Sequence, residues 1–119
     1  MDFKGPAGAQ LSKLMSATWM RSRVLAANVA NQNTPGYVRR EVRFEEALLK
    51  ELQGPSPDVD RLEPEVVEDR DAPVGADGNS VDMEAEVSAA RENRLMYELY
   101  ASISEGRTNL VRMAIREGR

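Results

Sequence analysis

The feature that most restricts how this chain can fold is a heptad pattern of apolar residues along its last third. Spacings of four and three residues alternate from Met83 to Ile115. This pattern predicts one long helix over about 82–117, which at about 1.5 Å per residue would span roughly 54 Å. The members of this first row that we expect at a helix-pairing or assembly interface are Met83, Val87, Ala90, Tyr97, Val111 and Ile115.

A second row of residues runs beside the first on the same predicted helix. We expect Tyr100, Ile103 and Leu110 from this second row to join the same interface. Two adjacent apolar rows cover a wide arc of the helix surface, and a helix with such an arc needs more than one partner to cover it. The C-terminal half of the helix is therefore expected to contact other helices.

A shorter helix is predicted near the beginning of the chain, over about 10–31. Its heptad-spaced positions include two polar residues, Thr18 and Ser22, which weaken the middle of the seam. Gly5, Pro6 and Gly8 argue against a helix that starts earlier. The residues of this helix that we expect to pair with the long helix are Leu11, Met15, Thr18, Leu25 and Val29.

These patterns predict an all-α fold in which two long terminal helices pair as a coiled-coil hairpin. The predicted divisions are an N-terminal axial helix within 1–33, a middle segment over 34–81 and a C-terminal axial helix within 82–119. Two readings of the apolar rows stay open. The hairpin could hide its apolar residues within itself, or it could assemble with other chains and so cover them.

The middle segment is expected to be largely irregular. Thr34-Pro35-Gly36-Tyr37 predicts a tight turn, because proline presets φ at the second turn position and glycine accepts positive φ at the third. A short extended piece over 38–44 and a short helix over 45–52 follow. The proline-rich and acidic stretch 54–78 is expected to be an exposed loop or disordered.

Composition excludes several classes of function. The net charge of the chain is −4, with +6 over residues 3–40 and −11 over residues 41–86. An acidic chain of this kind is a poor binder of nucleic acids, whose phosphates are negatively charged. The chain has no cysteine and no histidine, which removes thiolate sites and the usual general base. We expect no catalytic, cofactor-binding or metal-binding residues, because the acidic residues of 58–71 lack a scaffold. No apolar run is long enough to span a membrane.

The most informative motif is the stretch LAANVANQNTPGY at residues 25–37, in which a helix ends and a fixed turn follows. Its asparagines can bond to the backbone near a helix end. This motif closely resembles the N-terminal signature of the flagellar basal-body rod proteins and related axial proteins. The stretch 77–84 resembles the proximal-rod, FlgB-like members in particular. The signature positions are Asn28, Asn31, Thr34, Pro35, Gly36, Tyr37, Gly78, Asn79 and Asp82.

The resemblance implies a structural subunit of the flagellar basal-body rod, the drive shaft that crosses the periplasm and transmits torque. It implies polymerisation with copies of itself and with other rod subunits. Further implied neighbours are the rod-to-ring adaptor protein, the membrane-supramembrane ring and the export gate. It also implies export through the flagellar type III apparatus without a cleaved signal peptide. The chain departs from the family in its middle, which lacks a histidine-containing segment.

A different class of function also fits the heptads and the acidity. A small cytosolic adaptor or export chaperone could be built as a helical hairpin with the same apolar rows. Such a protein would not need the asparagine-rich turn between its helices. The sequence therefore favours the rod subunit and leaves the adaptor as the alternative.

Overall fold

The protein is described by a computed structural model, which covers the backbone of residues 6–117 and the side chains of residues 8–117. The chain is elongated, with principal extents of 67 × 30 × 16 Å. Two long helices lie at its ends, and shorter elements connect them. In chain order these elements are α1 (Pro6–Ala30), β1 (Arg40–Arg43), α2 (Glu45–Leu52), a 3₁₀ turn (Val59–Arg61), β2 (Glu65–Glu68) and α3 (Met83–Glu117).

The two terminal helices lie side by side and run in opposite directions. Asn93 of α3 donates to the carbonyl oxygen of Thr18, and Asn28 of α1 donates to the Glu86 carboxylate. A later residue of α1 thus contacts an earlier residue of α3, as antiparallel helices require. Helix α3 has 35 residues and α1 has 25. The end of α3 therefore extends past the first described residue of α1, and every residue of 109–117 is exposed.

The start of α1 differs from the sequence-based expectation. The helix begins at Pro6 and not near Gln10, so the expectation that Pro6 and Gly8 prevent helix there is wrong. Proline is well tolerated in the first turn of a helix, where its missing N–H has no intrahelical partner. Gly8 is buried, which suits a residue without a side chain.

The middle segment contains more regular structure than the sequence predicted. Strands β1 and β2 pair antiparallel, with Arg40 opposite Glu68 and Arg43 opposite Glu65. The fold is therefore mostly helical but not all-α, and the expectation of an irregular loop throughout 54–78 is wrong at 65–68. The acidic composition pointed to disorder, whereas the backbone hydrogen bonds of β1 provide a partner that composition alone does not reveal.

A small apolar cluster holds the middle segment against α1. Ala17 of α1, Phe44 before α2, Leu48 of α2 and Val59 of the 3₁₀ turn are all buried in it. Helix α2 spans Glu45–Leu52 as predicted, and it turns Leu48 inward while Leu49 and Leu52 stay exposed. The core is thus small, and it lies beside the sheet near the middle of α1.

Helix α3 begins at Met83, directly after its capping residue. Asp82 Oδ1 accepts from the backbone N–H of Glu84 at 3.1 Å and of Ala85 at 3.5 Å, which confirms the predicted capping role of Asp82. The hydroxyl of Ser80, the other predicted cap, accepts instead from the N–H of Arg39 at 2.8 Å. Ser80 therefore ties the segment before α3 to the residue that precedes β1.

Candidate functional site

Two tight turns, one after α1 and one before α3, lie against each other. The N–H of Tyr37 donates to the Thr34 carbonyl at 3.2 Å, and Gly36 has φ of 74°, which confirms the turn predicted there. Gly36 also donates to the Asp77 carbonyl at 2.9 Å. Gly78 has φ of 80°, and a Cβ on it would lie 3.3 Å from Gly36 Cα. We call residues 34–37 and 77–80 the two-turn junction.

Asn79 joins the junction to the end of α1. Its Nδ2 donates to the carbonyl oxygens of Asn31 at 2.8 Å and Thr34 at 2.7 Å, while its Oδ1 accepts from the N–H of Val81. Carbonyl groups at a helix end have no partner within the helix and must find one elsewhere. The Asn31 carbonyl accepts from the Thr34 N–H at 3.0 Å and also from the side chain of Asn79, which lies 48 residues further along the chain.

Asn28 connects α1 to both the sheet and α3. Its side-chain amide donates to the Arg40 carbonyl at 2.8 Å and accepts from the Arg40 N–H at 3.0 Å, so it bonds the outer edge of β1 as a neighbouring strand would. The same amide donates to Glu86 at 3.1 Å, and the Tyr37 hydroxyl donates to its oxygen at 3.4 Å. Asn28 is 0% exposed, and these bonds satisfy its polar atoms.

A buried ion pair lies beside Asn28. Arg39 Nε donates to Glu86 Oε1 at 2.6 Å, and Arg39 Nη1 donates to Asp69 Oδ2 at 2.7 Å. Glu86 is only 1% exposed. The hydrogen bond to Glu86 raises the pKa of Arg39 above its ordinary value despite burial, which acts in the opposite direction. We call Asn28, Arg39, Asp69 and Glu86 the buried polar cluster.

The buried polar cluster is built for structure and not for reaction chemistry. Within the described side chains, every buried polar atom has a hydrogen-bond partner, so none is held ready for a substrate. No group of three or more carboxylates there is arranged to hold a metal ion. A fully satisfied network of this kind orients the elements that it joins.

Polar residues also mediate the contact between α1 and α3 nearer the middle of the molecule. Asn93 Nδ2 donates to the Thr18 carbonyl at 2.7 Å. Arg21 Nη1 donates to Asn93 Oδ1 at 3.5 Å. Its Nη2 donates to the Val42 carbonyl at 3.1 Å and to the Glu45 carboxylate at 2.8 Å, so Arg21 also joins α1 to β1 and α2. The buried residues of α3 are Glu86, Asn93 and Ser104. Ser104 lies in the heptad row of the sequence, whereas Glu86 and Asn93 lie outside it. Their spacings of 7 and 11 residues place all three on one helix face.

The predicted interface residues fall into three groups by exposure. Leu11, Thr18 and Leu25 of α1 are buried, as helix pairing requires. Four are half-buried, namely Met15, Val29, Met83 and Tyr100. The rest are exposed in the single chain, and these are Val87, Ala90, Tyr97, Ile103, Leu110, Val111 and Ile115. The first apolar row of α3 is thus largely turned away from α1, and its role in contacts with other chains stays a prediction.

One exposed row of α3 was identified only in part from the sequence, which named Ile103 and Leu110 but not its other members. Leu95 is 67% exposed and Leu110 is 66% exposed, with Leu99, Ile103 and Met113 also open to solvent. Helical spacing places these residues, together with Gly106, on one face of α3. We call the row the α3 outer stripe: Leu95, Leu99, Ile103, Gly106, Leu110 and Met113. Spacings of four and three residues from Leu95 onward are the signal that could have identified it.

The described part of the chain contains no helix with the length and apolar character required to cross a bilayer. No protein-family model matches the chain, but the sequences of individual proteins do. The flagellar basal body rod protein FlgB of Aquifex aeolicus is 31% identical, over 87% of this chain and 88% of the relative. FlgB of Escherichia coli is 30% identical, over 72% of this chain and 75% of the relative.

A more distant relative carries the same name. FlgB of Borreliella burgdorferi is 27% identical, over 71% of this chain and 76% of the relative. The matches confirm the resemblance inferred from the signature residues, and they disfavour the adaptor alternative. A rod component assembles with other proteins of the basal body, which agrees with the exposed apolar surface of α3. The chain therefore belongs to the FlgB family of flagellar basal body rod proteins, and it is a structural rod subunit, not an enzyme.

Proposed function

We propose that this chain polymerises lengthwise with copies of itself and with other axial subunits to form the proximal rod. The observation that carries the proposal is the exposed apolar surface of α3, where Leu95 and Leu110 are each about two-thirds exposed. Exposed apolar surface on this scale is typical of an interface between chains. In the rod, neighbouring subunits would cover it, with α1 and α3 paired as a coiled coil along the shaft axis.

The two-turn junction lies near the start of α3, far from Leu110, and its rigidity suits a part that carries torque. The buried polar cluster and the two-turn junction tie α1, the sheet and α3 together by directional hydrogen bonds. Directional bonds fix the relative rotation and sliding of elements better than apolar contacts do. We infer that this end keeps the hairpin rigid while its apolar flanks bind neighbouring subunits.

The remaining parts of the proposal rest on the family. We infer that the rod lies in the periplasm, and that the chain reaches it through the flagellar type III apparatus without a cleaved signal. The partners we propose are the other rod subunits, the rod-to-ring adaptor protein, the membrane-supramembrane ring and the export gate. The three segments 1–33, 34–81 and 82–119 would then act as two axial helices and the piece that connects them.

Genetic replacement tests the proposal. Deletion of the gene should abolish the rod and swimming, and the wild-type chain should restore both. Leu25→Asp should fail to restore them, because its charge would enter the contact between α1 and the rest of the chain without a partner. Gln32→Asp places the same charge on an exposed residue just after α1 and should restore swimming. Swimming halos and electron micrographs of purified basal bodies provide the measurements.

Two outcomes would overturn the proposal. A deletion strain that still builds a rod and swims would remove the structural role. Recovery of the chain in the soluble cytosol, and never with purified basal bodies, would instead favour an adaptor.

A further inference from the structure

The outer face of α1 carries an exposed stripe that nothing in the described chain covers. Its members are Ser16, Trp19, Arg23, Ala26 and Ala30, at spacings of three and four residues. Trp19 is the only tryptophan of the chain and is 57% exposed, with the Arg23 guanidinium 5.0 Å from its ring centroid. We call this the α1 outer stripe. An exposed tryptophan among small residues is typical of a binding hot spot, because it offers one large anchor on a surface that allows close approach.

The α3 outer stripe has the opposite shape. It presents large apolar side chains except at Gly106, where a Cβ would meet no atom within 4 Å. Gly106 therefore leaves a gap in the stripe between Ile103 and Leu110. Glycine in a helix interior costs about 1 kcal/mol relative to alanine, so its presence there needs a compensating role.

We propose that the α3 outer stripe of one copy of this chain docks antiparallel on the α1 outer stripe of a second copy, with Trp19 seated in the gap at Gly106. This inference rests on the proposed function and names one of the contacts by which the chain would polymerise.

Seating Trp19 at Gly106 fixes the register of the two stripes. With Trp19 opposite Gly106, antiparallel helices place Ala26 opposite Leu99 and Ala30 opposite Leu95. In these three pairs a large residue faces a small one, which is the arrangement that lets two helices interdigitate closely. No other side chain of the α1 outer stripe is large and apolar, so the register is set by Trp19.

Charge favours the same register. Helix α1 carries Lys13, Arg21 and Arg23 and no acidic residue. In the matched register Arg23 lies level with Ser102, between the exposed side chains of Glu98 and Glu105. Opposite charges at the rim of an interface guide its orientation and disfavour wrong partners.

The contact is open and leads to polymerisation. Within one chain the level of Thr18 on α1 matches Asn93 on α3, whereas the proposed register brings Thr18 of the second copy level with Arg107. The two copies are therefore displaced by about 14 residues, or about 21 Å along the helix axis. The first copy keeps its α1 outer stripe free and the second keeps its α3 outer stripe free, and such head-to-tail contacts build a helical array.

A size exchange tests the contact on the purified full chain. Gly106→Leu should fill the gap and weaken self-association by at least about tenfold, even though leucine favours the helix more than glycine does. Trp19→Ala should also weaken it, and the double variant should recover part of the loss because the added leucine then faces alanine. Sedimentation velocity measures association, and circular dichroism measures helix content.

The wild-type chain offers a second readout. Its only tryptophan emission should shift to shorter wavelength as the concentration rises, because Trp19 leaves water in the contact. In Gly106→Leu the shift should require at least about tenfold higher concentration. Arg112→Leu is the matched control, since it places the same leucine on an exposed part of α3 outside the stripe, and it should associate as the wild type does.

The outcomes separate this contact from the broader proposal. The contact is overturned if the wild-type chain stays monomeric, if Gly106→Leu associates as tightly as Arg112→Leu, or if the double variant recovers nothing. Rods and swimming in a Gly106→Leu strain, with neither in the deletion strain, would overturn the contact while leaving the rod function in place.

Discussion

At the scale of single residues, this protein places polar side chains where a helical hairpin usually has apolar ones. Asn28 bonds a strand edge and a carboxylate at once, and Glu86 is buried against Arg39. A buried ion pair adds little net stability compared with apolar packing, but breaking one partner is costly. We infer that these residues select one alignment of α1, β1 and α3, since a shifted helix would leave a buried charge without its partner.

Removing the Asn28 side chain should therefore be costly. Asn28→Ala leaves the Arg40 N–H and C=O and one Glu86 oxygen without that partner, so we expect a loss of about 2–4 kcal/mol in the free energy of unfolding. Urea unfolding followed by circular dichroism measures it. Asn33→Ala, on an exposed residue of the same motif, should change stability by less than about 0.5 kcal/mol. Equal losses in the two variants would refute the role given to Asn28.

Asp69 should make stability depend on pH in the acid range. Burial raises the pKa of Asp69, but the Arg39 guanidinium and the N–H groups of Asp71 and Ala72 outweigh it and hold the pKa below its ordinary value. A lowered pKa in the folded state adds stability above the unfolded value of about 4, and that stability is lost as the pH falls through the folded pKa.

The comparison variant for this effect is Asp69→Asn. The difference in unfolding free energy between the wild type and Asp69→Asn should be largest above about pH 5 and should shrink as the pH is lowered toward 3. Urea unfolding at a series of pH values gives this difference. A gap between the two proteins that is constant across the range would contradict the assignment.

At the scale of elements, local preference and long-range pairing act on different segments. Pro35 and Gly36 set their turn from their own backbone preferences, and Asp82 caps α3 through bonds to residues two and three positions away. Strand β2 differs, because its partner β1 lies more than twenty residues earlier in the chain. The turn and the cap could be predicted from neighbouring residues, whereas the strand could not.

The close approach of the two turns gives a test at this scale. Gly78→Ala puts a Cβ at positive φ and 3.3 Å from Gly36 Cα, so we expect a loss of about 1–2 kcal/mol in unfolding free energy. Gly106→Ala introduces the same methyl group into α3 with no neighbour within 4 Å and should stabilise the helix by about 1 kcal/mol. Thermal unfolding of both variants measures the opposite signs, and a loss in both would contradict the account of the junction.

At the scale of the whole molecule, one end is tied together and the other is open. The two-turn junction, the sheet and the buried polar cluster lie near the start of α3, while residues 109–117 are exposed throughout. The single chain buries no residue of that last stretch, so we expect its helix to be stabilised by neighbouring subunits. This uneven distribution fits a subunit that is ordered at its junction before assembly and completed by its neighbours afterwards.

Hydrogen exchange should show this difference directly. In the isolated chain, amides of 109–117 should exchange much faster than those of 86–104, because local opening costs little where helical packing is absent. In assembled rods the same amides should become protected. Mass spectrometry of peptides from both samples measures the protection, with the exposed amides of Val74, Ala76 and Asp77 expected to exchange quickly in both. Strong protection of 109–117 in a monomeric sample would contradict the division.

The existence of the terminal helices, the turn at Thr34–Tyr37 and helix α2 followed from the sequence, because they depend on residues within a few positions of one another. The signature residues also sufficed for the family. Tertiary structure alone decided which face of α3 meets α1, why Glu86 and Asn93 are buried, and that 65–68 is a strand. Those features depend on partners tens of residues away, and a polar residue becomes favourable inside a protein only when such a partner satisfies it.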